Sequence, residues 1–501
     1  MPSVNELNDI GAPGQLTESE EVFVFPASFA QQRLWFLDKL EPGQNTYNVP
    51  FAIRLNGDLN QQALRRTLQE IVNRHEVLRT TFSEDESGKP IQLVAPEREF
   101  KLAVSDLRSY ATQFRENEAR RQVVEHVRQP FDLKRGPLFR ASLLQVGDAE
   151  YILSLAFHHI IVDGWSWGVV LQELSALYEA YSQGKDSPLA PLSIQYGDYA
   201  AWQQDWLQGE RLQGLIAFWK KQLSEAPPVL ELPGDFPRPL MQTFSGAQES
   251  TVVPRSLQDA LSELSQKEGV TLFMTLLSAF DLLLARYSGQ NDIVVGTPIS
   301  GRTRSELEGL IGFLVNTLPL RTDVSGNPTF REFLARVRET ALQAYAHQDL
   351  PFERLVEELS PERDLSRSPI IQVLYIFENS TGKQKSHIGG LELIPFRGAE
   401  GTTAKFDIQF SALVNPSGLR LALTYNVDLF RPATVQRMLA HLQTFLEAMV
   451  ADPEGRIGDL CLLNGAERRQ LLAEFNSTEK EYRRDVLVHQ LVEEQVERNP
   501  K

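Results

Sequence analysis

Residues 153–168 read LSLAFHHIIVDGWSWG, and the interpretation of the surrounding chain starts from this stretch. An apolar, strand-like run carries two adjacent histidines and ends at an Asp-Gly pair. Because successive strand side chains point to opposite faces, His159 shares a face with Phe157, whereas His158 lies on the other face. The pattern therefore predicts that only one of the two imidazoles can face a given cleft.

The residues after the histidines predict a turn followed by a helix. Asp163-Gly164 turns the chain, and a helix from about Ser166 points its N-terminus back toward the histidines. Such a helix end favours negative charge. A neutral imidazole there can take a proton from an attacking amine or alcohol while backbone donors stabilise an oxyanion. Acyl transfer is one hypothesis that the residues support.

Other hypotheses fit the same residues. Buried histidines often have a purely structural role, satisfied by hydrogen bonds in the core. A zinc site using His159 and Asp163 is disfavoured, because that spacing suits a helix and no further His or Cys is suitably placed. His158 and Asp163 also match the His-x4-Asp pattern of glycerolipid acyltransferases, but nothing resembles their membrane anchors. The residues alone leave a structural role and acyl transfer open.

Composition narrows the function classes. The 501 residues suggest about three structural units at roughly 150 residues each. A net charge of -16 without a dense basic stripe argues against nucleic acid as a partner. The single cysteine, Cys461, excludes an internal disulfide and fits a reducing cytoplasm. The N-terminus lacks a basic and an apolar region, and the most apolar helix candidate is interrupted by charges, so we expect neither a signal peptide nor a membrane span.

The chain divides into two halves that are predicted to contain similar kinds of helices and strands. Residues 1–21 are a polar, flexible lead-in, and a Pro-containing stretch near residues 184–193 separates the halves. Strand patterns at residues 49–55, 139–146 and 151–162 accompany a helix with an apolar stripe at Leu64, Leu68, Ile71 and Val72. The second half adds helices near 272–287 and 329–347 and four strand patterns. Each half is predicted to form a mixed sheet with covering helices.

Several ordered motifs carry a resemblance to a known family. HHIIVDG resembles the HHxxxDG signature of condensation domains from nonribosomal peptide synthetases. Six further stretches resemble other motifs of that family and follow in the same order: residues 28–50, 74–82, 196–203, 311–321, 347–353 and 363–375. The match spans about residues 22–452. Beyond it, residues 460–482 resemble the following linker and residues 487–501 resemble the start of an adenylation domain, as in a fragment of a longer synthetase.

The resemblance implies a fold and its boundaries. We expect an α/β protein with mixed sheets, built as two chloramphenicol-acetyltransferase-like lobes in a V with a tunnel between them. The N-terminal lobe would cover residues 22–187, the C-terminal lobe 188–455, and the linker with the truncated adenylation start 456–501. A latch crossing between the lobes would fall within residues 377–404.

Site roles also follow from the resemblance. His159 matches the catalytic position, as general base or intermediate stabiliser, and His158 a supporting one. Asp163 matches an aspartate that pairs with the first arginine of the second motif, here Arg74, and Gly164 allows the tight turn. Residues matching positions important for activity, folding or the substrate tunnel are Arg79, Trp202, Ser166 and Asn316.

The implied reaction is amide-bond formation between a donor acyl or peptidyl thioester and the α-amine of an acceptor aminoacyl thioester. Both substrates would arrive on phosphopantetheine arms of an upstream donor and a downstream acceptor carrier protein, beside an adenylation domain. No bound cofactor, metal, nucleic acid or membrane is expected, and the excised domain should be monomeric.

Both histidines are present, unlike in heterocyclisation or degenerate recruiting domains, and no Glu-Gly-His-Gly-Arg epimerisation signature occurs. The motifs look most like those for L-configured donors. Ester formation, a free small-molecule acceptor and a silent docking module remain open.

Overall fold

The computed structural model describes residues 22–359, 364–379, 387–396, 403–415, 418–479, 481 and 485–500. The predicted lead-in, residues 1–21, lies outside the described residues. Two six-stranded sheets, each covered by helices, and one three-stranded sheet make up the described fold. The predicted mixed α/β class is confirmed.

The chain up to residue 222, which includes the first two helices of the second half, contains seven strands and six α-helices among the described residues. They are β1 (Phe23–Pro26), α1 (Phe29–Leu40), β2 (Asn48–Asn56), α2 (Gln61–Arg74), β3 (Thr80–Glu84), β4 (Pro90–Val94), β5 (Leu102–Asp106), α3 (Thr112–Arg128), β6 (Phe139–Gln145), β7 (Glu150–His158), α4 (Gly164–Ser182), α5 (Tyr196–Trp206) and α6 (Gly209–Gln222).

The second half continues the same mixture of elements. They are β8 (Gly246–Val253), α7 (Arg255–Lys267), α8 (Leu272–Ser288), β9 (Asp292–Ile299), α9 (Ser305–Glu308), β10 (Asn316–Asp323), α10 (Phe330–Ala346), α11 (Phe352–Leu359), β11 (Val373–Asn379), β12 (His387–Ile388), β13 (Leu391–Pro395), β14 (Ile408–Asn415), β15 (Gly418–Asn426), α12 (Pro432–Ala451), α13 (Gly465–Arg469) and α14 (Val488–Arg498).

The first large sheet has the strand order β12-β13-β2-β7-β6-β5. The predicted hairpin is confirmed, because β6 and β7 pair antiparallel across the turn at Gly147. The predicted apolar stripe of α2 is confirmed as well, since all four of its residues are buried against this sheet's core. Strand β7 is buried along almost its whole length, which places its C-terminal end, with the two histidines, at the centre of the fold.

The second large sheet has the strand order β10-β9-β11-β14-β15-β8. Helix α8 lies in the core beside this sheet, begins at a Thr271 cap and ends at Gly289, whose φ of 72° is the left-handed conformation that glycine adopts without strain. Across the described residues, no single helix has the length and apolar character to cross a membrane; α7 and α8 reach it only together, across a bend of 105°.

Two segments of the second half pack into the core of the first. Residues 300–315, here called the floor segment, leave the second sheet after β9 and bury Leu307, Leu310 and Leu314 in the first core. Residues 387–396, the latch segment, form β12 and β13, and β13 pairs antiparallel with β2 from Glu392 opposite Asn56. The crossing predicted within residues 377–404 is therefore present. Helix α5 also packs into the first core, and the boundary predicted between residues 187 and 188 stays a prediction.

Candidate active site

The predicted strand through residue 162 ends earlier, at His158. Residues 159–161 form one 3-10 turn instead, because the Nδ1 atom of His158 accepts a hydrogen bond from the backbone N–H of Ile160 at 3.1 Å. Such a local bond competes with continued strand pairing. The turn changes the direction of the next side chain, so the alternation expected for a straight strand no longer applies at His159.

His159 lies on the wall of a large cavity and has a defined tautomer. Its Nδ1 atom is 2.8 Å from the carbonyl oxygen of Val162, so Nδ1 carries the proton and donates it, which leaves Nε2 with a free lone pair. The ring packs edge-on against Phe313, with centroids 4.8 Å apart. Burial, with a smaller effect from the charge of Lys405, lowers the pKa of His159 to about 4. At neutral pH the side chain is therefore an uncharged proton acceptor.

His158 occupies the core rather than the cavity. Its side chain is buried, and its ring packs edge-on against Phe131 with centroids 6.1 Å apart. Burial, followed by the charges of His159 and Lys405, lowers the pKa of His158 to about 3. The residue holds the turn through its bond to Ile160 and does not contribute to the cavity wall.

Asp163 caps α4 and pairs with Arg302 of the floor segment, so the predicted pairing with Arg74 is wrong. Its Oδ2 atom accepts from Arg302 at 2.8 Å and from the backbone N–H of Leu314 at 3.0 Å, and its Oδ1 accepts from Ser166 N–H at 2.9 Å. The two charged side chains are essentially inaccessible to solvent. The carboxylate faces the floor segment because it is bound as the cap of α4, and Arg74 lies outside its reach.

Arg74 forms a different ion pair, with Glu173 further along α4. Its Nε atom lies 2.8 Å from Oε1 of Glu173, and the other carboxylate oxygen accepts from His75 Nε2 at 2.9 Å. The backbone N–H of Ile311 points at Nδ1 of His75 at 3.5 Å. This group therefore forms a second connection between α2, α4 and the floor segment.

Two of the residues expected in the tunnel do not line the cavity. Ser166 is fully buried, and its hydroxyl donates to Asp163 and contacts the backbone of Gly312. The amide nitrogen of Asn316 donates to the carbonyls of Gln348 and Leu350, each at 2.8 Å, which ties β10 to the start of α11. Both residues support the cavity from behind its wall.

The remaining predicted positions fall into two groups. Gly164 does lie at the cavity, but its φ is not in the left-handed region and a Cβ atom would meet nothing within 4 Å, so the turn does not require glycine. Arg79 pairs with Glu76 at 3.5 Å, away from the cavity. Trp202 of α5 stacks on Trp206 with centroids 5.1 Å apart and is likewise absent from the cavity wall.

The cavity itself is lined by residues of both halves and has a volume of about 3130 Å³. That is several times the volume of an ordinary small-molecule pocket. Its walls come from α1, the start of α4, the floor segment, α11 and the strands β9 and β11. His159 stands on the wall of this space, together with residues of the second half.

Sequence reasoning missed one charged residue of this cavity. Lys405 lies on the cavity wall just before β14, and its ammonium stands 4.8 Å from the ring centroid of Tyr47. Burial, with a smaller effect from Arg33, lowers its pKa to about 8. A lone lysine in the stretch TTAKFDIQF has no spacing or partner in sequence that would have singled it out. Among the described residues, no group of three or more His, Cys, Asp or Glu side chains is arranged to hold a metal ion.

Comparisons of the sequence with known proteins find one family. A family model described as "Condensation domain" matches residues 23–472. One of the linear gramicidin synthase proteins of Brevibacillus parabrevis is 50% identical over 470 residues, which cover 93% of this chain and 6% of that protein. The chain thus spans a small fraction of the length of such relatives.

Solved structures resemble the whole fold. Holo-AB3403, a four-domain nonribosomal peptide synthetase bound to AMP and glycine, superposes with a TM-score of 0.84 and 27% identity over 97% of this chain and 38% of that one. The X-domain from teicoplanin biosynthesis superposes with a TM-score of 0.80 and 30% identity over 90% of this chain and all of that one.

Proposed function

This chain belongs to the condensation-domain family, and we propose that it forms an amide bond between a donor acyl or peptidyl thioester and the α-amine of an acceptor aminoacyl thioester. The observation that carries the proposal is the state of His159. Its Nδ1 proton is held by the Val162 carbonyl, and its Nε2 lone pair is available at a cavity lined by both halves. A neutral imidazole in that state can accept a proton from an attacking amine.

The proposed step begins with attack of the acceptor nitrogen on the thioester carbonyl carbon. The C–N bond forms, the carbonyl electron pair moves to oxygen, and Nε2 of His159 takes the proton from nitrogen. When the carbonyl re-forms, the C–S bond breaks and the phosphopantetheine thiolate leaves with the proton from His159. General acid–base help of this kind is worth about 10²- to 10⁴-fold in rate.

The supporting roles are proposed on the same contacts. Asp163 and Arg302 hold the floor segment against the start of α4, which fixes Phe313 against the imidazole of His159. Arg74 and Glu173 brace the same region. These residues position the site and do not take part in proton transfer.

A silent docking module is the second candidate, favoured by the similarity to the X-domain, a structure of which is described as a complex with OxyB. A domain that only positions partners has no need for an imidazole with a fixed tautomer and a free Nε2 on the cavity wall. We therefore rank amide formation first. Ester formation differs only in the acceptor and is one arm of the experiment below.

The proposed partners are a donor and an acceptor carrier protein, each bringing its substrate on a phosphopantetheine arm, in a monomeric domain with no bound cofactor of its own. We further propose an L-configured donor, a cytoplasmic location and an adenylation domain, whose preceding linker and truncated start are residues 456–501. Helix α14 supports the last point, since Val488, Leu491, Val492 and Val496 expose an apolar face as an incomplete unit would. The name of the relative reported above, a linear gramicidin synthase, supports a secondary-metabolite peptide as the product.

The test combines loaded carrier proteins with mass spectrometry. Acceptor carriers bearing single amino acids, or the corresponding hydroxy acids, are mixed with carriers bearing N-acetylaminoacyl donors, and the coupled product is quantified with wild type and His159→Ala. We expect amide product, lowered about 10²- to 10⁴-fold in the folded variant. His158→Ala is unsuitable as a control because it removes a core side chain. Equal turnover by the variant would refute the assignment of His159, and absence of product from every pair would favour the docking module.

A further inference from the structure

We propose that Lys405 is a second catalytic residue, whose ammonium stabilises the oxyanion that forms on the donor carbonyl. The inference rests on the amide-forming function proposed above. It comes from the position of Lys405 on the cavity wall and from the absence of a carboxylate partner for its charge among the described residues. The similarity to condensation domains does not by itself assign this role.

Lys405 lines the same cavity as His159, and its charge acts on that histidine. Its ammonium packs on the ring of Tyr47, and the backbone carbonyl of Tyr47 accepts a hydrogen bond from the backbone N–H of His159 at 2.8 Å. The charge is near enough to lower the pKa of both His158 and His159. Any negative charge that develops beside Nε2 of His159 therefore forms within the field of Lys405.

Among the residues that the structure describes, no carboxylate pairs with the ammonium of Lys405. Two other cations that are partly or fully removed from solvent do have carboxylates: Arg302 pairs with Asp163, and Arg238 with Asp407. In the described part of the chain, the ammonium of Lys405 contacts the uncharged ring of Tyr47. The charged side chain that acts on it is Arg33, which is also a cation. A half-buried ammonium without an anion is unfavourable, so the site favours an anion from the substrate.

The choice between a transient oxyanion and a permanent substrate anion follows from the effect on His159. A fixed cation beside the base disfavours the imidazolium that proton transfer creates. This effect opposes catalysis unless the same cation stabilises the other charge of that step more strongly. The oxyanion on the donor carbonyl is that other charge, and it arises from every donor whatever its side chain.

The balanced step is unchanged except for the contact to oxygen. Attack of nitrogen moves the carbonyl electron pair onto oxygen, where the Lys405 ammonium donates a hydrogen bond without losing its proton. His159 takes the proton from nitrogen, the carbonyl re-forms, and the thiolate leaves with that proton. Removing one oxyanion donor in other enzymes lowers kcat about 10²- to 10³-fold.

The experiment measures kcat and KM for the best carrier pair from the panel above, between pH 6 and pH 10, with Lys405→Met and Lys405→Arg. Lys220→Met serves as the matched control, because Lys220 pairs with Glu358 on the surface outside the cavity. We expect Lys405→Met to lower kcat about 10²- to 10³-fold with little change in KM. In wild type, kcat should fall above about pH 8 as Lys405 loses its proton. Arginine stays protonated there, so Lys405→Arg should keep its activity at pH 9.

A further readout separates charge from structure. The groups that face Lys405 are Arg33 of α1, Tyr47 before β2, and His158 and His159 at the end of β7. In Lys405→Met the NMR-measured pKa of His159 should rise, whereas in Lys405→Arg, which keeps the positive charge, it should stay near the wild-type value. Normal kcat in Lys405→Met, or equal inactivity of folded Lys405→Arg and Lys405→Met, would overturn the inference. No product from wild type would overturn the proposed function itself, and this inference with it.

Discussion

The buried ion pair between Asp163 and Arg302 allows a quantitative test of how the two halves are joined. We consider Asp163→Asn, which keeps the shape of the helix cap, and Arg302→Met, which keeps most of the side-chain volume. Each variant leaves one charge buried without its partner. The Arg302 side chain is fully inaccessible and that of Asp163 is 2% exposed, so solvent cannot replace the lost partner.

The burial of both side chains determines how much unfolding free energy each variant loses. Breaking a buried pair from one side costs about 3–5 kcal/mol in unfolding free energy, whereas removing both charges together costs much less. The double variant should therefore be more stable than the sum of the single effects predicts, by about 2–3 kcal/mol at the upper end of measured couplings. Asp163→Asn combined with Arg74→Met should be additive within about 0.5 kcal/mol, because Arg74 pairs with Glu173 instead.

The assay is urea denaturation followed by far-UV circular dichroism, with the denaturant dependence required to be the same in all variants. Fluorescence is a poorer probe here, because the guanidinium of Arg302 lies 5.7 Å from the ring centroid of Trp165 and its removal changes the signal directly. A coupling of Asp163 with Arg74 larger than that with Arg302 would refute the reasoning about this pair. The reasoning would also be refuted if the losses of unfolding free energy in the Asp163 and Arg302 single variants simply added up in the double variant.

Three further outcomes are expected elsewhere in the chain. The NMR shifts of His159 should titrate at about pH 4 rather than near 6.5, since burial lowers its pKa, and a midpoint above pH 7 would contradict its assignment as a neutral base at pH 7. Burial raises the pKa of Asp281 well above its usual range, and the nearby hydroxyl of Thr322 offsets this effect only in part. Ionisation of Asp281 therefore opposes folding above the unfolded pKa near 4, so thermal unfolding should show Asp281→Asn more stable than wild type at pH 7, by an amount that shrinks as the pH falls toward 4. Gly164→Ala should keep the unfolding free energy within about 1 kcal/mol, whereas Gly312→Ala places a Cβ 2.1 Å from the Tyr196 ring and should destabilise the domain strongly in the same urea assay.

Local features of the fold could be predicted from sequence because they depend on neighbouring residues. The hairpin of β6 and β7 and the buried stripe of α2 follow from apolar periodicity, and both are confirmed. The end of β7 could not be predicted in this way. It depends on one side chain, His158, which bonds to the backbone two residues later and stops the strand.

Partners that lie far apart in sequence were beyond the reach of periodicity. Residues 163 and 302 meet only because the floor segment returns to the first core, and nothing in the local sequence distinguishes Arg302 from Arg74 as the partner of Asp163. Lys405 was missed for the same reason, since its proximity to His159 is created by the fold. Ser166 and Asn316 show the converse case: they lie near the expected places but turn their side chains away from the cavity.

The latch segment has a consequence for engineering chimeric synthetases. Strand β13 pairs with β2, and the floor segment supplies Arg302 to Asp163, so each half of the domain completes the core of the other. A recombination point between the halves would leave foreign side chains at both contacts and, if the second half were deleted, an open strand edge on β2 that invites aggregation. Exchanges between synthetases should therefore transplant the domain whole, or carry residues 300–315 and 387–396 along with the N-terminal half.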